Sequence, residues 1–168
     1  MDLDEFADLL RFENGNLEAV RAEEPFLDDA LAYIAMALAH DCMAWEDPSK
    51  AVNANLELID SVARYAHLIS DSWKPEGILV FGNGTSMTQE TYQSLFDRSK
   101  GLRDALLTQH LQAYGEGNEE RAYRETNTAL TYMLAIGCAR STDLEGSLSY
   151  VGRIFRDVMD QMSGDAVR

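Results

Sequence analysis

The chain has 168 residues, of which 46% are hydrophobic, and it carries a net charge of −15 at pH 7. This composition supports a packed core and excludes global disorder, whereas the acidic balance disfavours binding to polyphosphate or to anionic lipid. The longest apolar run, 30–39, is far shorter than the about 20 residues that span a bilayer. We therefore expect neither a membrane nor a nucleic acid as a direct partner.

The negative charge is concentrated at the start of the chain. Residues 1–60 hold 15 of the 29 acidic residues and three of the 14 basic ones, so this part carries −12 of the net charge. Leu3, Phe6 and Leu10 follow a helical spacing that leaves an acidic opposite face. Clustered charge of one sign attracts surfaces of the opposite sign. We therefore predict an acidic binding surface that includes Asp2, Asp4, Asp8, Glu23 and Glu24.

A second helix is predicted over about 25–46, beginning at Pro25, which the first turn of a helix tolerates. It is apolar nearly all round, and its many alanines let neighbouring helices approach closely. This pattern is typical of the central, most buried helix of a bundle. Asp47-Pro48 ends it and begins a third helix, whose apolar stripe runs from Val52 to Ile69.

The segment 74–88 interrupts the helical pattern with one proline and three glycines around an apolar run, so we interpret it as a short strand, a hairpin or an apolar loop. Capping boxes at Ser86-x-x-Gln89 and Thr142-x-x-Glu145 predict the starts of two later helices. The apolar positions that follow Thr142 form the cleanest helical stripe of the chain. The predicted fold is an all-α, single-domain bundle over 1–168, with five to six helices and one irregular glycine-rich segment.

Arg103 and His110 lie seven residues apart in a predicted helix and therefore point in nearly the same direction. With Asp104 after the arginine, they resemble the R-x(4–6)-H signature of HEPN-type ribonucleases, which are small helical bundles. The resemblance implies that arginine and histidine meet across a dimer and cleave RNA without metal, with the arginine stabilising phosphate charge and the histidine moving protons. The simpler interpretation is a surface arginine and a histidine at a helix edge.

Two carboxylate patterns are considered as metal sites. Glu57-x-x-Asp60 resembles half of the metal site of MazG-like nucleotide pyrophosphatases, but the upstream Glu-x-x-Glu pair that those enzymes require is missing. If the second and third helices are antiparallel neighbours, a bundle metal site is predicted from Glu24, Asp28, His67 and Asp71. The simpler interpretation is a solvated helix face with ion pairs four residues apart, such as His67–Asp71.

The sequence contains no cofactor-binding motif, so no cofactor is expected. His40-Asp41 lacks the further spaced histidines of HD-type phosphohydrolases. Cys42 and Cys138 lie among apolar residues, as buried reduced thiols do, and the first residues are acidic rather than basic as in a secretory signal. We therefore expect a cytoplasmic protein.

The sequence favours a non-enzymatic, acidic helical interaction protein: an inhibitor, an antitoxin-like factor, a chaperone or an assembly subunit. We expect a basic, nucleic-acid-processing protein as its partner, because clustered charge selects a complementary surface. A homodimer is left open. The alternatives are a HEPN-like, metal-independent ribonuclease that uses Arg103 and His110 and, behind it, a metal-dependent all-α nucleotide hydrolase.

Overall fold

A computed structural model describes the backbone of residues 27–45, 48–72 and 87–167 and the side chains of 27–43, 58–71 and 87–162. The described residues form five helices: α1 (Leu27–Trp45), α2 (Pro48–Ser72), α3 (Gln89–Tyr114), α4 (Glu119–Ala139) and α5 (Leu144–Val167). No extended strand occurs in this part of the chain. The prediction of an all-α bundle is confirmed.

α1 forms the centre of the bundle and contacts each of the other four described helices. Every residue from Ala30 to Ala39 is buried, and none of them is more than 7% exposed. A helix that is apolar on all sides has the lowest free energy when every side is covered, because all of its apolar surface is then removed from water. The prediction of a central, most buried helix over about 25–46 is therefore confirmed for Leu27–Trp45.

α2 packs mainly against α4 and α5, and its contact with α1 is the smallest among the contacting pairs of described helices. Ala66 and Ile69 are buried, as the apolar spacing predicts, and Val62, which is not one of the predicted stripe positions, is buried as well. The long antiparallel contact between α1 and α2, on which the predicted four-residue metal site depends, is not observed in the described residues.

α5 follows its predicted apolar stripe. Val151, Phe155 and Val158 are buried, and Leu144, Leu148 and Met162 pack half-buried against the core. The predicted start of this helix is displaced by one residue, however. Asp143, and not Thr142, accepts a hydrogen bond from the Gly146 amide at 3.0 Å and caps the helix. A carboxylate is one of the best acceptors for the unpaired amides of a first helical turn.

α3 and α4 form a hairpin joined by a short glycine-containing turn. α3 is capped by Thr88, whose hydroxyl accepts from the Thr91 amide at 3.1 Å. The predicted capping residue, Ser86, lies outside the described residues. Gly115 and Gly117 have positive φ angles of 78° and 83°, which explains why glycine follows the last residue of α3. The Asn118 side chain does not cap α4 and instead donates to the Tyr114 carbonyl at 2.9 Å.

Several predictions concern residues that the structure does not describe. These are the amphipathic helix at the start of the chain, the acidic residues Asp2, Asp4, Asp8, Glu23 and Glu24, and residues 74–86 of the irregular segment. Met87 and Thr88, at the described end of that segment, are not helical. No helix in 27–45, 48–72 or 87–167 is both long and apolar enough to cross a membrane.

Candidate functional site

The predicted catalytic arginine lies inside the bundle, where it meets a carboxylate from the central helix. Arg103 on α3 is 7% exposed and Asp41 on α1 is fully buried. Nε of Arg103 donates to Oδ1 of Asp41 at 3.0 Å, across 62 residues of sequence. Nη1 donates to Oδ1 of Asp104, which immediately follows in the chain, also at 3.0 Å. One cation is thus held between two carboxylates.

α4 completes the surroundings of this ion pair. The Arg103 guanidinium lies over the Tyr123 ring, 5.0 Å from its centroid. The Asn127 amide donates to the Cys42 sulfur at 3.3 Å, beside Asp41. We call Asp41, Arg103, Asp104, Tyr123 and Asn127 the polar cluster. It joins α1, α3 and α4 toward the C-terminal end of α1.

Burial and pairing act in opposite directions on the charges of the polar cluster. Burial raises the pKa of Asp41, and the hydrogen bonds with Arg103 and Asn127 offset this only in part. Burial also opposes the charge on Arg103, but the hydrogen bonds to Asp41 and Asp104 outweigh it and raise the arginine pKa. The guanidinium therefore stays charged, while Asp41 is easier to protonate than an exposed aspartate.

The pairing inside the polar cluster is incomplete. Oδ2 of Asp41 and Nη2 of Arg103 are both buried, and neither makes a hydrogen bond. The neighbouring His40 is half-buried and packs on Phe96, with 4.9 Å between the ring centroids. Its Nε2 atom is also buried and makes no hydrogen bond. Burial lowers the pKa of His40, an effect that the Phe96 backbone opposes and the Lys100 charge reinforces. His40 is therefore neutral at pH 7.

The predicted catalytic histidine lies on the same helix but contacts different partners. Nδ1 of His110 is 2.9 Å from the Thr126 hydroxyl oxygen, and that hydroxyl donates its only hydrogen to the Ala122 carbonyl at 2.8 Å. Nδ1 must therefore donate to Thr126, and the neutral ring carries its lone pair on Nε2. Burial lowers the pKa of His110, which the Glu125 charge and the Leu106 carbonyl partly offset.

The structure does not bring Arg103 and His110 together within the chain. Seven residues separate the two positions by about 10 Å along the helix axis. Arg103 contacts α1 and α4 through the polar cluster, whereas His110 binds Thr126 and stacks with Tyr114 at an interplanar angle of 11°. As arranged, the histidine can accept a proton at Nε2, but the arginine presents its charge to two carboxylates rather than to solvent.

The residues predicted for a metal site are placed apart where the structure describes them. Nε2 of His67 lies 3.0 Å from Oε1 of Glu145 at the start of α5, and not against the predicted partner Asp71, which is exposed. Asp28 is half-buried, and its charge acts on Tyr150 of α5. Glu24 lies outside the described residues. The described side chains contain no group of three or more His, Cys, Asp or Glu residues that fits a metal ion.

Sequence reasoning missed the partners of both predicted catalytic residues. Asp41 is the second residue after the ten-residue apolar run, and a charge at that position of a helix buried on all sides requires a partner. That signal was available, but it does not identify Arg103 among the eleven arginines. Nothing in the sequence distinguishes Thr126 as the hydrogen-bond partner of His110.

No protein family model, curated protein or solved structure matches this chain.

Proposed function

We propose that this protein is a non-enzymatic binding protein that docks on a basic surface of a protein partner through its acidic residues 1–60. The observation that carries the proposal is the charge distribution. Residues 1–60 contain 15 acidic and three basic residues, whereas the rest of the chain contains 14 acidic and 11 basic residues. Charge separated in this way steers association toward a surface of opposite sign.

The charges outside residues 1–60 do not produce an electrostatic field of comparable strength. On α4, Nη2 of Arg124 donates to Oε1 of Glu120 at 2.6 Å, and on α5 the exposed Arg153 and Arg156 alternate with Asp157 and Asp160. Mixed and locally paired charges cancel within a Debye length, which is about 8 Å at physiological salt. The described surface of α3, α4 and α5 therefore does not compete with residues 1–60 for a basic partner.

Not every carboxylate of residues 1–60 is available to a partner. Asp41 is fully buried and neutralised by Arg103, and Asp28 and Asp29 are half-buried. The binding surface is therefore assigned to five of the eight carboxylates that precede α1, namely Asp2, Asp4, Asp8, Glu23 and Glu24.

The contacts of Arg103 support binding rather than catalysis. Stabilising a phosphate transition state requires a cation aimed at the developing charge, but this guanidinium is 7% exposed and hydrogen-bonded to two carboxylates. The partner is proposed to be a nucleic-acid-processing protein, because such proteins carry clustered lysine and arginine that an acidic surface complements.

The test compares two variants that carry the same change in charge. The first reverses Asp2, Asp4, Asp8, Glu23 and Glu24 to lysine. The matched control reverses five exposed acidic residues of α3, the α3–α4 turn and α5, namely Glu90, Asp97, Glu116, Asp157 and Asp160. Partners are captured from native lysate with each protein at about 0.1 M and about 1 M salt, where the Debye length falls from about 10 Å to about 3 Å.

We expect the wild type and the control variant to retain a basic partner at low salt, and the first variant to lose it. High salt should release the partner from both the wild type and the control variant. Association rates measured with the purified partner should fall at least tenfold in the first variant, with its melting temperature nearly unchanged. The proposal is overturned if the partner binds equally well at low and high salt and binds the first variant as well as the wild type.

A further inference from the structure

The central helix presents its neighbours with a nearly uniform surface. Five of the ten residues from 30 to 39 are alanines, and all ten are buried. Helices pack by fitting ridges of side chains into grooves, and alanine ridges are shallow. A helix that is apolar on every side also loses no burial energy when it rotates about its axis. Hydrophobic contact alone therefore specifies the rotation and the register of α1 poorly.

Directional polar contacts occur at the C-terminal end of α1. Asp41 accepts from Nε of Arg103 on α3 at 3.0 Å. The next residue, Cys42, accepts from Asn127 on α4 at 3.3 Å. Consecutive helix positions point about 100° apart, so the two contacts reach two different neighbours. Together they constrain both the rotation of α1 and its position along its axis.

The Arg103 donor of the first contact is held in place by contacts outside α1. Nη1 of Arg103 is fixed by Asp104 of its own helix, and the guanidinium plane lies over the Tyr123 ring of α4. The Nε–H direction is therefore largely set by α3 and α4. A buried carboxylate that slid by one helical turn, about 5.4 Å, would lose this donor. Such a displacement would leave a buried charge without a partner, which is strongly unfavourable.

We infer that the Asp41–Arg103 pair determines the arrangement of the bundle, by fixing the rotation and register of α1 against α3 and α4. Its contribution to net stability is secondary. Bringing two charges out of water costs about as much as their attraction returns, and buried pairs of other proteins are replaced by apolar residues without loss of stability. The unpaired Oδ2 of Asp41 and Nη2 of Arg103 show that this pair is not optimised for strength.

The test replaces both charges with apolar residues of similar size, in the double variant Asp41→Leu/Arg103→Met of the full chain. We expect its far-UV circular dichroism to match that of the wild type, because the helices themselves remain formed. We also expect loss of near-UV circular dichroism, bound anilinonaphthalene sulfonate, and more than one backbone amide signal per residue in α1. Those changes indicate several packing arrangements of an intact set of helices.

Two further variants make the result decisive. Ser99→Ala removes another fully buried polar group, whose hydroxyl donates to the Phe96 carbonyl within α3 at 2.8 Å, and it should keep a single set of signals. Asp41→Asn/Arg103→Gln retains polar groups able to form a directional bond without charge, and it should recover most of the near-UV signal. The inference is overturned if the apolar double variant shows one sharp set of signals, if it unfolds, or if the Asn/Gln variant is equally disordered.

Discussion

α1 and α5 are both packed into the same core, but their orientations are specified by different means. In α5, the buried Val151 and Phe155 are separated by the exposed Arg153, so a single rotation of the helix satisfies the pattern. In α1, all residues from Ala30 to Ala39 are buried, and no rotation is preferred on hydrophobic grounds. The orientation of an amphipathic helix is therefore specified by its apolar stripe, whereas a helix buried on all sides requires polar contacts to specify its orientation.

The largest expected effect removes the cation on which α1 depends. Arg103→Met leaves Asp41 fully buried without its positive partner. We expect the free energy of unfolding at pH 7 to fall by about 3–5 kcal/mol, measured by urea denaturation. The exposed Arg156 on α5 provides a matched control, and Arg156→Met should change stability by less than about 0.5 kcal/mol. Equal losses in the two variants would show that α1 does not depend on the pair.

A smaller, pH-dependent effect on stability is expected from Asp41, the carboxylate of the pair. The folded pKa of Asp41 is raised above its ordinary value of 3.8, so the folded state binds a proton more tightly than the unfolded state does. The stabilising effect of this proton is complete below pH 3.8 and is lost as the pH rises through the folded pKa. The wild type should therefore lose stability relative to Asp41→Asn across this interval. The urea midpoints of the wild type and of Asp41→Asn are compared from pH 3.5 to 7. A constant difference between them over this range would contradict the expectation.

The smallest expected effects concern the start of α5. An added Cβ at Gly146 would overlap the Asp143 carboxylate that caps the helix. Gly146→Ala should therefore lose about 1 kcal/mol of capping, which cancels the helix propensity that alanine gains and leaves stability nearly unchanged. The control is Gly101→Ala in α3, where an added Cβ meets nothing within 4 Å and should add about 0.5–1 kcal/mol of stability. Thermal unfolding measures both. A melting temperature raised by Gly146→Ala would show that the cap does not restrict residue 146.

The sequence predicted the parts of this fold that depend on local patterns. The stripe of α5, the continuous burial of α1 and the glycine turn after Tyr114 each follow from residues close in the chain. The caps at Thr88 and Asp143 were predicted one or two residues too early, because serine, threonine and aspartate compete for the same role. Helix boundaries are the least certain part of such reasoning.

The arrangement around the candidate site was not predictable to the same extent. Arg103 and His110 were recognised as a pair because they share a helix face, but their partners Asp41 and Thr126 lie 62 and 16 residues away. Contacts of that separation depend on which helices become neighbours. α1 contains no stripe that indicates its neighbours, so the one charge following its apolar run gave the only signal.

We claim that Arg103 serves the packing of α1 and not chemistry on a phosphate. The most direct measurement is cleavage of single-stranded RNA by the purified full chain in excess EDTA, compared with the variant His110→Asn. Asparagine retains a donor for the Thr126 hydroxyl but lacks the Nε2 lone pair of His110. We predict no cleavage by either protein. Metal-free cleavage by the wild type that disappears in His110→Asn would contradict the claim and establish the ribonuclease alternative.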